Sequence, residues 1–286
     1  MERACAPHVR AIPTKRLLCV AAILSLSLTG CESGPPQGRE SPAGRGFLVT
    51  KDHVRETIAH EKAFAQYYDV KAPPGENWFA IDLGTTPVLV VAGHATAQTR
   101  EGTRKAADRG TGSLAVALHK LTGATAIYTV YESPSDPNYD DDNAFKETLS
   151  KLLQEIQPAL VLDLHTSHAD RPYAVDFGTM GGKSLLGRME VLGQLEETLR
   201  GAGVRDLSND YFPAQHHHTI TKWVSGHGVP CIQLEINSTW LIRDADNPAE
   251  FHRFEKLLQG LVNFLQGFEP PDATRPSTGL SGPVAR

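Results

Sequence analysis

Two short apolar runs each deliver a histidine at their carboxyl end. Val88–Ala92 leads through Gly93 to His94, and Ala159–Leu164 leads directly to His165. Runs of this length, rich in Val and Leu, predict strands buried on both faces. Open α/β sheets present their polar residues at the carboxyl ends of such strands. Two imidazoles placed in this way predict a metal site at one end of a sheet.

The surrounding pattern supports a sheet with helices packed on it. Trp78–Leu83, Ala124–Tyr131, Tyr173–Gly178 and Pro230–Ile236 read as extended. Val54, Ile58 and Ala65 fall at helical spacing. A helix face of Leu114, Ala117, Leu118 and Leu121 opens at Thr111 and closes near Gly123, and another, Phe145 to Ile156, is stopped by Pro158. Ser184–Arg200 reads as one long helix with Leu185, Met189, Leu192 and Leu199 on one side. Phe251, Phe254, Leu258, Leu261 and Leu265 make a closing helix. Alternating strands and helices predict a layered α/β domain with a largely parallel or mixed sheet.

The ends of the chain read differently. Arg3, Arg10, Lys15 and Arg16 precede an apolar stretch, Leu17–Leu28, which predicts a secretory signal over residues 1–30, too short for a comfortable membrane span. Leu28-Thr29-Gly30-Cys31 resembles the lipobox of bacterial lipoproteins. That resemblance implies lipidation of Cys31 and a chain anchored to a bacterial membrane in the cell envelope. Residues 31–46, rich in Gly, Pro and Ser, suit a flexible tether, 47–269 form the domain, and 270–286 read as a disordered tail. Cys5 and Cys19 leave with the signal and Cys31 carries lipid, so Cys231 is left with no internal disulfide partner. Removing the signal takes away four basic residues and one acidic residue. The remaining 24 basic and 32 acidic residues give a net charge of −8. With no run of Lys or Arg, nucleic acid is not an expected partner.

The chemistry-bearing residues follow from strand parity and spacing. Asp163 and His165 share one face of their strand, so Asp163 is expected to orient His165, to join it as a ligand, or to hydrogen-bond a neighbouring loop. Hydrolase zinc sites commonly combine two histidines with a carboxylate. Glu101, in the loop after His94, and Asp108, ahead of the helix at Thr111, both qualify as the third ligand, and spacing does not choose between them. Gln233, Glu235 and Asn237 share a face opposite Leu234 and Ile236. A carboxylate among apolar neighbours is costly, so Glu235 is expected to be a general base, or else half of a buried ion pair. His216-His217-His218 looks like a metal motif, but adjacent residues of one loop rarely converge on one ion. His218 and Lys222 are expected to reach substrate instead, and Arg171 and Arg243 to clamp a substrate carboxylate.

In sequence order, His94, Asp163-Leu164-His165, Phe177-Gly178-Thr179 with Gly181-Gly182, the segment around Phe212–Lys222, and Gln233-Leu234-Glu235 resemble the N-formylglutamate amidohydrolase family. The resemblance spans residues 85 to 265. It implies a fold like the zinc carboxypeptidases, a three-layer sandwich around a mixed, largely parallel sheet. It also implies a zinc ion held by His, an acidic residue and His, with a late Glu as base. The family's acidic ligand stands at a helix start, which favours Asp108 over Glu101; His165 matches the last ligand and Glu235 the base. The implied substrate is a small-molecule or peptide amide. Two features depart from the family: the exported character of the chain, and three histidines before Lys222 where the family has small glycines. Cell-wall peptides, and a non-catalytic role in binding metal or ligand, are the alternative expectations.

Overall fold

Parity along the strands decides where this domain is apolar and where it is polar. A computed structural model describes residues 47–242 and 247–270. The signal, Cys31, the tether, Arg243 and the tail beyond 270 lie outside the described residues. The described residues fall in a compact unit that begins at Phe47.

In chain order the elements are α1 (Lys51–Phe64), β1 (Phe79–Asp82), β2 (Val88–Ala92), β3 (Gln98–Arg100), β4 (Thr103–Lys105), α2 (Thr111–Thr122) and β5 (Thr125–Thr129). There follow α3 (Ala144–Ile156), β6 (Leu160–Ser167), β7 (Val175–Gly178), α4 (Met189–Gly201), β8 (Leu207–Asn209), α5 (Ile220–Gly226), β9 (Cys231–Asn237) and α6 (Pro248–Gly267). Seven strands form one sheet in the order β1-β5-β2-β6-β9-β7-β8. Its centre, β5-β2-β6-β9, is parallel, while β1 and β7 run antiparallel to β5 and β9. The sheet is therefore mixed and largely parallel, as expected.

Helices cover both faces. Val88, Val90, Ala92, Leu160, Leu162, Leu164, Ile232, Leu234 and Ile236 pack against α1, α2, α4 and α6 in the larger core. The alternate residues Leu89, Val91, Val161 and Cys231 pack against α3 and α5 in a smaller one. That smaller core stops partway along the strands. Beyond Val161 the same face of β6 carries Asp163, His165 and Ser167, and beyond Cys231 that face of β9 carries Gln233, Glu235 and Asn237. The register sets Asp163 opposite Gln233, His165 opposite Glu235 and Ser167 opposite Asn237.

One expectation needs correction. Ser184–Arg200 is not a continuous helix: Lys183–Leu185 forms a single 3₁₀ turn, and α4 starts only at Met189. Leu186 (φ 52°) and Gly187 (φ 88°) adopt left-handed backbone between them, which no right-handed helix tolerates. Met189, expected on the buried side, is consequently exposed. The β3–β4 hairpin, β8 and α5 are too short to leave a periodic signature.

Candidate metal centre

Two strand ends and a helix start converge at the carboxyl end of the sheet. Gly93 lets β2 leave the sheet tightly, since a Cβ there would stand 3.1 Å from Ile220 Cδ1 and 3.4 Å from Pro137 Cβ. The next residue, His94, is buried, as is His165. Asp108 is joined to His94 through the main chain: its N–H donates to the His94 carbonyl at 2.8 Å. The turn after it is fixed by Thr111, whose N–H and Oγ1 donate to the Asp108 carbonyl at 3.2 and 2.7 Å. Helix α2 begins at Thr111 behind an N-cap, Gly110, that has no side chain to bond, and the Asp108 carboxylate caps nothing and faces the imidazoles. Thr166 Oγ1 reaches the Arg109 carbonyl at 3.3 Å and ties the end of β6 to the same loop.

The result is a compact group. His94, Asp108 and His165 each offer one ligand atom, and these atoms lie within 4.8 Å of one another. Asp108 Oδ2 is 2.8 Å from His165 Nδ1 and 3.6 Å from His94 Nδ1. The far side of each ring meets another partner. His94 Nε2 donates to Asp136 Oδ1 at 2.7 Å, and Arg100 Nε donates to Asp136 Oδ2 at 2.7 Å. This fixes the His94 proton on Nε2 in the neutral ring and leaves Nδ1 as the lone-pair donor toward Asp108. His165 Nε2 accepts from Asn138 Nδ2 at 2.5 Å, while Asn138 Oδ1 accepts the Ile220 N–H at 2.6 Å.

One buried oxygen tests whether a metal fits. Asp163 Oδ1 completes no hydrogen bond, although His165 Nε2 lies 3.3 Å away. It gains a donor when Nε2 carries the proton; that tautomer gives up acceptance from Asn138 and frees Nδ1 to hold a cation. The charge balance points the same way. Asp108, Asp136, Asp163 and Glu235 crowd the site against one guanidinium, Arg100, and buried carboxylates cost several kcal/mol each unless compensated. Two histidines and a carboxylate are a donor set that suits zinc.

The electrostatics follow from these contacts. Burial works to raise the Asp108 pKa, but the hydrogen bond from His165 and the nearness of the His94 imidazole outweigh it and hold the carboxyl at about 2. Asp136 lies lower still: burial opposes ionisation, and His94 and Arg100 overcome it. Burial lowers the pKa of both imidazoles, yet their carboxylate neighbours leave His94 raised and His165 well raised. Glu235 moves the other way. Burial, aided by Asp108 and Asp163 and opposed by His165 and His94, lifts it to about 7. Gln233 Nε2 donates to its Oε1 at 3.0 Å.

The other candidate residues lie elsewhere. Glu101 occupies the turn of the β3–β4 hairpin with φ 49°, is exposed, and accepts from Tyr139 at 2.5 Å; it is not among the three converging groups. His218 Nδ1 pairs with Asp141 Oδ2 at 2.5 Å, and Lys222 Nζ donates to the His217 carbonyl at 3.2 Å. His217 and His218 border a surface cleft with Tyr139 and Asp140–Asp142 rather than the ligand group. Arg171 is half-buried beside Tyr211 and Phe212.

Sequence reasoning missed Asp136, Asn138 and Arg100. Asp136 and Asn138 follow β5 at its carboxyl end, which was the available signal, but they sit in irregular chain with no periodicity to mark them. Asp136→Asn is expected to keep the fold and to weaken zinc binding about 10–100-fold, by analogy with other outer-sphere partners of metal histidines. A competition titration against a chelator reads this, and wild-type affinity would remove Asp136 from that role.

The sequence matches no protein-family model and no curated protein. Among solved structures, the chain is similar to N-formylglutamate amidohydrolase from Ralstonia eutropha, with 14% identity over 65% of this chain and 96% of that one and a TM-score of 0.48. It is similar to a Zn-dependent exopeptidase from Parabacteroides distasonis, with 10% identity over 78% and 99% of the two chains and a TM-score of 0.45. A metallo-carboxypeptidase from Burkholderia cenocepacia gives 12% identity over 77% and 69%, with a TM-score of 0.44.

Proposed function

We propose that this chain is a zinc-dependent hydrolase of a C–N amide bond, of the N-formylglutamate amidohydrolase type, acting on an N-acyl amino acid or small peptide in the cell envelope. One observation carries the reading: His94, Asp108 and His165 meet within 4.8 Å, and Glu235 stands in register with His165 on the adjoining strand. The order of motifs in the sequence supports the family, and the signal with Cys31 supports a lipid-anchored location.

Zinc held by His94, Asp108 and His165 supplies Lewis acidity toward a carbonyl and toward water. The chain's own residues do the rest. Asp136 holds His94 by its Nε2, and Asp163 stands ready to do the same for His165. Glu235 takes a proton from the attacking water and returns it to the departing nitrogen, a role suited by a pKa near neutrality. The exported character favours cell-wall peptides as a second substrate class.

Metal analysis of the purified protein, beside assays on N-formyl and N-acyl amino acids and peptidoglycan fragments, tests the reading. The expected result is about one zinc per chain, as a single three-ligand site requires, with amine released from one substrate set. Protein that binds no zinc and cleaves neither set would refute it.

A further inference from the structure

Asp108 lies just ahead of α2, where an aspartate commonly caps a helix, yet its carboxylate turns to the imidazoles. The first turn of α2 has no acidic residue of its own. The carboxylate that meets this turn comes instead from α1. Glu61, only 3% exposed, accepts from Ser113 Oγ at 2.7 Å on one oxygen and from the Tyr68 hydroxyl on the other. The Gly110 N–H lies beside the same carboxylate.

Packing makes this approach possible. A Cβ at Gly112 would stand 2.9 Å from Phe64 Cε1 and 3.0 Å from Ala95 Cβ, so glycine lets the end of α1 press onto the first turn of α2. A carboxylate sealed between two helices is costly unless its oxygens are hydrogen-bonded, and here both are. For stability alone, apolar side chains would serve as well. The distinct effect of the acid is to fix how α2 begins.

Tyr68 extends the grip to the other end of the same segment. Its ring lies 5.5 Å from the Arg109 guanidinium, and its carbonyl accepts the Ala97 N–H at 2.8 Å. Glu61 and Tyr68 together therefore hold Ser113 and Arg109 at the Asp108 end and Ala97 at the His94 end.

We infer that Glu61 is a positioning residue for the metal site. By binding Ser113 and Tyr68 it holds the start of α2 from behind, so that the Asp108 carboxylate meets His94 and His165 instead of turning back onto the helix. The inference rests on the zinc reading above. It carries a cost in affinity as well as in stability. A loop that presents Asp108 correctly only about one tenth of the time binds zinc about tenfold more weakly.

Chelator competition on the purified protein, well below its Tm, reads this without turnover. Glu61→Gln keeps the side-chain volume but gives up one acceptor oxygen, and it is expected to weaken zinc binding at least about tenfold. Ser113→Ala removes the bond from the α2 side and is expected to weaken it about three- to tenfold. Val54→Ala, on the same helix and buried in the larger core, is the packing control. It should lower Tm and change zinc affinity by no more than about twofold. Wild-type affinity in Glu61→Gln, or an equal loss in Val54→Ala, overturns the inference. Should Glu61→Gln not fold, Ser113→Ala decides alone on the same terms. Wild type that takes up no zinc would overturn the metal reading and this inference together, whereas zinc-binding wild type with unmoved variants overturns the inference alone.

Discussion

Glu235→Gln is expected to lower kcat by about 10²–10⁴-fold, the usual share of a positioned proton-transfer group, with zinc content unchanged. The substitution preserves side-chain volume and takes away only the ability to accept a proton. Glu235 is not one of the three converging ligand groups, so metal retention separates loss of the base from collapse of the site. The pH profile gives a second measure. With its pKa lifted to about 7 by burial, Glu235 must lose its proton to act, so kcat/KM should fall about tenfold per unit below pH 7. The sign for stability is opposite. A carboxyl whose folded pKa lies above its unfolded value favours the folded chain at low pH, and that advantage is lost as pH rises from about 4.5 to about 7. Metal-stripped Glu235→Gln should therefore have a higher Tm than metal-stripped wild type at pH 8. Equal Tm values and full turnover would show that this carboxylate is neither strained nor catalytic.

Loss of a ligand is expected to have a comparable effect by a different route. His165→Ala and Asp108→Asn should each abolish stoichiometric zinc and activity together, while Glu101→Gln should keep both. Stability reports the same event. A ligand present at about 1,000 times its Kd stabilises the folded state by about 4 kcal/mol. Wild-type Tm should accordingly rise on adding zinc and drop with a chelator, and the two ligand variants should not respond. Retained zinc in both variants, with loss in Glu101→Gln, would move the acidic ligand to the hairpin.

The parts of the molecule that could be read from sequence are those in which a period meets a hydrophobic requirement. The runs before His94 and His165 were recognisable because a strand buried on both faces must be apolar throughout. Glu235 stood out because its strand breaks that rule on one face only. The choice between Asp108 and Glu101 was beyond spacing, because a main-chain hydrogen bond from Asp108 to His94 decides which carboxylate comes back to the site. Asp136, Asn138 and Arg100 were invisible for a related reason. They lie in irregular chain or a three-residue strand, and only the folded path of β5 and the hairpin brings them to the imidazoles. The break at Leu186-Gly187 was also missed, because apolar spacing on either side remains helical across it.

The bond between the His94 carbonyl and the Asp108 N–H closes residues 95–107 at their base like a drawstring. Below the exposed tip at residues 101–103, Arg100 donates to Asp136 and so ties this segment to the His94 ring. That tip is thus where evolution, or an engineer, can exchange sequence while the base of the segment keeps His94 and Asp108 side by side.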